Sequence, residues 1–201
     1  MKKTLFTIGY SGFPNVDEFV DILKHYEIQI LIDVRSSPFS SHFPNYNKDN
    51  LSNALNKNNI LYFNYARQFG ARQENRDFYK NGRLDFETFT KSEQFMSGVA
   101  NVEKSKAKIV FMCAEKKPID CHRTIMVARA FSLRGYNIIH IMPNGMKETQ
   151  KDIDRELLQK FFPKRNQSSL FDTYERNDED FIRDAYILQN DEIGFREENL
   201  K

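Results

Sequence analysis

Residues 28–34, Ile28-Gln29-Ile30-Leu31-Ile32-Asp33-Val34, are nearly all apolar and rich in β-branched side chains. A run of this kind, with no polar–apolar alternation, is the mark of a strand buried on both faces, as in a parallel sheet. Upstream, residues 5–9 (LFTIG) read as another short buried strand, ending in glycine. Between the two, Gly12-Phe13-Pro14-Asn15 is a turn, and Asn15 followed by Glu18 is a capping-box pattern. Val16, Phe19, Val20 and Leu23 then recur at helical spacing. Strand, helix and strand at this spacing make a βαβ unit, expected to be right-handed.

Downstream the pattern continues. Residues 35–47 form a loop rich in Ser, Pro and aromatics; a short helix with Leu51, Ala54 and Leu55 inward follows, then a third strand over 60–63. A helical stretch spans 86–104, broken near Lys91, and residues 108–113 (KIVFMC) are a further buried strand. The loop 114–120 leads into a helix from Cys121 to Arg134, ended by Gly135. A strand over 137–141 and a helix over 153–162, stopped by Pro163, complete the body. The alternation predicts an α/β fold: a three-layer, mostly parallel Rossmann-like sheet with helices on both faces. The body is expected to span residues 1–163, and a charged tail residues 164–201, with one further helix over 178–190.

Composition sets outer limits. The 201 residues include no stretch near the ~18 apolar residues of a membrane span, so no membrane partner is expected. The opening Met1-Lys2-Lys3 is basic, but the apolar run after it is too short for a signal-peptide core, and a cytoplasmic location is expected. Two cysteines do not make a disulfide scaffold. The net charge of +2 averages unlike regions: residues 172–201 hold ten acidic and four basic side chains, leaving a surplus of positive charge in the body. A basic body admits polyanion partners.

Ligands of parallel α/β sheets bind beyond the carboxyl ends of the strands. Those ends read Gly9-Tyr10-Ser11, Asp33-Val34-Arg35 and Cys113-Ala114-Glu115, and the last loop delivers Cys121-His122-Arg123 to a helix start. Tyr10, Ser11, Arg35 and Arg123 are therefore candidates for binding a phosphate or other anion, helped by the helix N-terminus. Asp33, Glu115, Cys121 and His122 are the candidate catalytic groups. Cys121 is the nucleophile of any such chemistry, His122 the acid–base, and the arginines the charge stabilisers. Each has a plainer reading as well: Cys113 as a small core residue, Cys121 as an ordinary helix-start residue, His122 as a backbone-bonded side chain, and Asp33 with Arg123 as a structural ion pair. No cofactor is implied. The Cys113–Cys121–His122 spacing lacks the short C-x₂₋₄-C knuckle of a zinc site, so no metal centre is expected.

The same segments carry a resemblance. Thr7-Ile8-Gly9-Tyr10-Ser11, Leu31-Ile32-Asp33-Val34-Arg35-Ser36-Ser37-Pro38 and the run from Cys113 to Arg123 (CAEKKPIDCHR) resemble, in order, the domain of unknown function 488 family over roughly residues 4–142. The resemblance implies an α/β fold and the location of a site, and no particular reaction. That family shows a Leu-Gly-Gly-Arg segment after the third strand; here the residues are Phe69-Gly70-Ala71-Arg72, with alanine for the second glycine. A weaker likeness is to rhodaneses, which place Asp-Val-Arg at an early strand end and an active cysteine before a helix. The residues after Cys121 hold no glycine to cradle a persulfide, and those after Cys113 lack the arginine of a phosphatase loop. A metal-nuclease reading rests on Asp33 with Glu115-x-Lys117, which parallel strands place less well than a hairpin would.

Two stretches point to partners. Gln167-Ser168-Ser169-Leu170-Phe171 is similar to the Gln-Leu-Ser/Asp-Leu-Phe peptide by which bacterial repair and replication proteins bind the DNA sliding clamp, with Gln167, Leu170 and Phe171 as the anchors. Its plainer reading is an apolar pair that docks the tail on its own domain. Between residues 35 and 83, cationic side chains including Arg67, Arg72 and Arg76 are interleaved with aromatic rings. Such a mixture suits single-stranded nucleic acid or a nucleotide by phosphate contact and stacking, or else a long loop whose rings cover the sheet. The leading expectation is a protein of DNA maintenance that binds nucleic acid or nucleotide phosphate and is recruited to the replication clamp. A rhodanese-like thiol enzyme or a non-catalytic interaction module is the alternative.

Overall fold

The computed structural model describes residues 3–165 and 177–200. β1 (Thr4–Gly9) is followed by α1 (Val16–His25), β2 (Ile30–Asp33), α2 (Lys48–Asn56) and β3 (Leu61–Asn64). The chain then forms α3 (Ala66–Phe69), a small hairpin of β4 (Tyr79–Lys80) and β5 (Arg83–Leu84), α4 (Phe86–Thr90) and α5 (Glu93–Lys104). β6 (Ile109–Cys113), a π-helix (Arg123–Ala128) running into α6 (Arg129–Leu133), β7 (Asn137–Ile141), β8 (Lys147–Thr149), α7 (Gln150–Phe161) and α8 (Asp178–Ile193) follow. Among the described residues, six strands form one sheet in the order β3-β2-β6-β1-β7-β8, parallel except for the antiparallel edge strand β8.

The two faces of this sheet hold separate cores, because successive residues of a strand point to opposite sides. Phe6, Ile8, Val110 and Met112 pack with α1 and α2 residues such as Phe19, Leu23 and Leu51. Leu5, Ile109, Phe111 and Cys113 pack on the other face with Phe69, Phe95, Phe131 and Leu157. The switch of faces follows from the chain path. From β1 through β3 the chain moves toward one edge; from β6 through β7 it moves toward the other. A constant crossover hand then puts the two sets of helices on opposite faces. The architecture is the expected three-layer α/β fold.

Some local features depart from the sequence reading. Asn15 caps α1 by accepting from the Asp17 N–H, one residue earlier than a capping box requires. The capping box occurs at α7 instead, where Thr149 and Asp152 serve each other's backbone N–H. The helix expected from Cys121 to Arg134 opens as a π-helix, whose wider turn is a frequent companion of functional sites.

The division of the chain at residue 163 rested on composition, and residues 177–200 fold against the body. Ala185 and Gln189 are fully buried. Gln189 donates from Nε2 to the Ile119 carbonyl at 3.0 Å, and Asn190 both donates to the Leu84 carbonyl at 2.8 Å and accepts from the Phe86 N–H at 2.7 Å. Polar side chains of α8 thus satisfy the backbone groups of Leu84, Phe86 and Ile119 that the helix covers. The peptide Gln167–Phe171 lies outside the described residues. No helix among the described residues is long and apolar enough to cross a membrane.

Candidate functional site

β1 and β6 are neighbours whose following connections leave toward opposite faces, which opens a crevice at their carboxyl ends. A cleft of about 410 Å³ lies there, walled by Tyr10, Arg35, Ser36, Arg72, Glu115 and His122 among others. Ile193, the last residue of α8, and Phe195 just beyond it close one side, and the Arg72 guanidinium lies 4.9 Å from the centre of the Phe195 ring.

One wall is built around Arg35. Its backbone N–H and Nε donate to Oδ1 of Asp33 at 3.0 and 2.9 Å, and Nη2 donates to Oδ2 at 2.6 Å. Nη2 also donates to the Tyr46 carbonyl at 2.8 Å, and the guanidinium lies over the Tyr10 ring at 5.0 Å. Tyr62 donates to the same Asp33 carboxylate at 2.7 Å. Asp33 is fully buried and Arg35 is 5% exposed, so each charge depends on the other to be tolerated there. Burial alone would lower Arg35, but its hydrogen bonds and charge pairing with Asp33 prevail and raise it, so the cation is permanent. Burial and the Asp33 charge likewise raise the Tyr62 phenol and keep it neutral. Nη1 of Arg35 is buried with no hydrogen-bond partner.

The facing wall holds the thiols. The Cys121 thiol donates to Oε2 of Glu115 at 2.8 Å, and Sγ of Cys113 lies 3.8 Å from Nδ1 of His122. His122 donates from Nε2 to the Val34 carbonyl at 3.0 Å; a carbonyl can only accept, so the proton of this ring sits on Nε2 and Nδ1 faces the sulfurs. Burial alone would push Cys121 up, but the hydrogen bond from Cys113 and the charges of Arg123 and His122 outweigh it and hold Cys121 well below its ordinary value. Cys113 moves the other way, raised by its bond to Cys121 and by burial. Burial raises the Glu115 carboxyl, and the adjoining Cys121 adds to the rise. Glu115 as a residue is exposed while its carboxyl tip is enclosed against Cys121; the tip governs its ionisation. Burial lowers His122, but Cys121 and Glu115 together raise it on balance. The two cysteines are therefore shifted in opposite directions at this wall, Cys113 up and Cys121 down.

The loop 114–120 is held from beneath by Arg123, which is fully buried. Its Nη1 donates to the Glu115 carbonyl at 2.6 Å and Nη2 to the Lys116 carbonyl at 3.4 Å. This close approach requires Gly9, where a Cβ would sit 1.9 Å from the Glu115 carbonyl oxygen. The Ser11 N–H donates to the Ala114 carbonyl at 3.0 Å, a third tie on the same loop.

The structure thus brings together Tyr10, Arg35, Glu115 and His122 as cleft lining, with Asp33 behind Arg35 and Cys121 behind Glu115. It sets Arg123 and Ser11 beneath the loop, holding it through backbone carbonyls. Arg123 does not pair with Asp33, whose partner is Arg35. Of Arg67, Arg72 and Arg76, only Arg72 lines the cleft. Arg67 is exposed on α3, and Arg76 is exposed and 3.6 Å from Glu197. Most of the interleaved rings are core or partly buried, including Tyr46 and Phe69, while Phe39 and Phe63 are exposed.

Sequence reasoning missed Tyr62 and Ser36. Ser36 accepts from the Arg72 N–H at 2.8 Å, and Gly70 next to it leaves no room for a Cβ, which would lie 2.3 Å from the Ala66 carbonyl oxygen. The signal for Ser36 was its place directly after Arg35; Tyr62 had none, because its partner lies on the neighbouring strand.

Fold and site define an α/β protein with a buried-arginine and thiol cleft at the switch point of a mostly parallel sheet. Residues 15–130 match the family model described as Domain of unknown function DUF488. The chain belongs to this family. Neither the curated proteins nor the solved structures compared with the chain give a match.

Proposed function

We propose that the cleft binds a phosphate-bearing ligand, a nucleotide or a single strand of nucleic acid, and that the protein works in DNA maintenance, brought to the sliding clamp through Gln167, Leu170 and Phe171. The observation that carries the reading is Arg35. Its charge is held permanently by Asp33, its plane is fixed by Tyr10, and its Nη1 donor has no partner. A buried donor without an acceptor costs about 1–3 kcal/mol, which a ligand oxygen recovers. Arg72 and the hydroxyls of Ser36, Ser37 and Ser40 on the same cleft suit the remaining oxygens of a phosphate.

Fluorescence anisotropy with a labelled single-stranded oligonucleotide tests this. Affinity should fall steeply as salt rises, and Arg35→Lys should weaken it by tenfold or more, because an ammonium has no planar fork. Absent or salt-independent binding contradicts the reading. Recovery of the clamp by wild type but not by the Leu170→Ala/Phe171→Ala variant supports the tether; equal recovery removes it. A rhodanese-like thiol enzyme predicts sulfur transfer lost in Cys121→Ser without any oligonucleotide binding. A non-catalytic module predicts an unaltered partner profile in that variant.

A further inference from the structure

We propose that Cys113, Cys121 and His122 form a site for a thiophilic divalent ion of the zinc class, with the fourth coordination position open to the cleft beside Glu115. The inference goes beyond the phosphate reading and rests on different atoms.

Sγ of Cys113, Sγ of Cys121 and a ring nitrogen of His122 all lie within 4.8 Å of one another. With Zn–S of ~2.3 Å and Zn–N of ~2.0 Å, a tetrahedral ion spaces such atoms ~3.5–3.8 Å apart. The Cys113–His122 separation is already 3.8 Å, so small rotamer adjustments seat an ion. His122 also has the orientation that metal-bound histidines share. Its Nε2–H is committed to the Val34 carbonyl, and Nδ1 is directed at the sulfurs.

Burial and charge agree with this assignment. Cys113 is 3%, Cys121 1% and His122 9% exposed. Little of the three is exposed, and their ligand atoms lie close enough together to share one ion. Two thiolates with a dication are neutral as a unit, which suits an enclosed place better than a lone thiolate does. The ligands are also preorganised. Arg123 and the Ser11 N–H hold one end of the loop between the cysteines, and Gln189 of α8 holds its Ile119 carbonyl. Cys113, His122 and Glu115 line the cleft, so an exchangeable water at the fourth position would face whatever the cleft admits. The pattern of two cysteines, one histidine and an open position is that of a catalytic rather than a structural zinc site.

The full chain, purified, stripped with chelator and reconstituted with zinc or cobalt alone, supplies the test. Elemental analysis should give one equivalent of zinc. The cobalt form should show a near-ultraviolet sulfur-to-cobalt charge-transfer band with tetrahedral visible bands. Cys121→Ser and His122→Gln should weaken binding at least as much as the ~10–100-fold known for loss of outer-shell partners. Glu115→Gln should keep the full equivalent; its loss of zinc would overturn the open fourth position. Should the ligand variants fail to fold, alkylation of wild type decides: zinc must slow modification of both cysteines relative to the chelated protein. Zinc-free reconstituted protein, a cobalt spectrum without the sulfur band, or equal alkylation with and without zinc would overturn the site. None of these readouts involves oligonucleotide or nucleotide, so failure here leaves the phosphate reading standing, and the reverse.

Discussion

Two guanidinium groups are buried within one small region of this sheet, and they serve opposite ends. Arg35 faces a carboxylate, an aromatic ring and a cleft; it meets Asp33 by a forked contact and retains a free donor. Arg123 is 0% exposed and meets backbone carbonyls of one loop. Arg35 thus presents charge, whereas Arg123 fixes the chain that carries Glu115. The difference teaches that two buried arginines at strand and loop ends can be compensated in different ways, one by a carboxylate with a donor left unpaired, the other by backbone carbonyls.

The sharpest way to break this contrast is to remove compensation on the Arg35 side. Asp33→Asn leaves a buried cation without its carboxylate and should cost ~3–5 kcal/mol in urea denaturation. A loss under ~1 kcal/mol would mean that Arg35 is not held as described. On the other side, Arg123→Met keeps most of the volume and strands two carbonyls instead of a charge. It should cost less, ~1–3 kcal/mol, and should free the loop 114–120 to faster amide exchange. If Arg123→Met proves the more damaging of the two, the assigned roles are reversed. Gly9→Ala attacks the same loop from β1. The added Cβ must displace the Glu115 carbonyl, and ~1–3 kcal/mol of overpacking is expected, read from the same denaturation curves.

A pH effect belongs to the Arg123 side. His140 is fully buried; its Nδ1 lies 2.8 Å from Oγ1 of Thr7, and Nε2 is among the buried atoms with no partner. Burial, with the Arg123 charge adding to it, pushes His140 down to about 3 from its ordinary 6.5. Its folded value lies below its unfolded one, so the unfolded chain takes up the extra proton as pH falls below about 6.5. Stability contributed by neutral His140 is present above that pH and declines by up to ~1.4 kcal/mol per pH unit below it. His140→Asn should flatten this part of the stability–pH curve between about pH 6 and 4; an unchanged slope would remove His140 from the account. The smallest effect is expected at Arg76, whose exposed pairing with Glu197 should be worth under ~0.5 kcal/mol to Arg76→Ala.

Much of this arrangement was legible in the sequence, and the reasons are physical. The apolar run 28–34 and the amphipathic spacing of Val16, Phe19, Val20 and Leu23 report burial directly, and from them follow the parallel sheet and the strand end that carries Asp33 and Arg35. β8 was not legible, because Lys147-Glu148-Thr149 is polar and joins the sheet at its edge through backbone pairing with β7. The docking of α8 was hidden for a related reason: Gln189 and Asn190 bury polar groups against backbone that is distant in the chain. The division of labour between Arg35 and Arg123 was equally out of reach, since both follow a strand or loop end next to a reactive residue type. Cys113 and Cys121 meet because the loop 114–120 folds back on itself, with the Cys121 N–H bonded to the Pro118 carbonyl. Residue spacing along the chain carries no trace of that reversal.

The most direct measurement is a crystal structure of the full chain soaked with inorganic pyrophosphate. The account predicts an anion in the cleft with an oxygen within hydrogen-bond reach of Nη1 of Arg35, at ~2.7–3.2 Å, and Arg72 turned toward it. An empty cleft at saturating pyrophosphate, or an anion bound elsewhere with Nη1 still unpartnered, would contradict it.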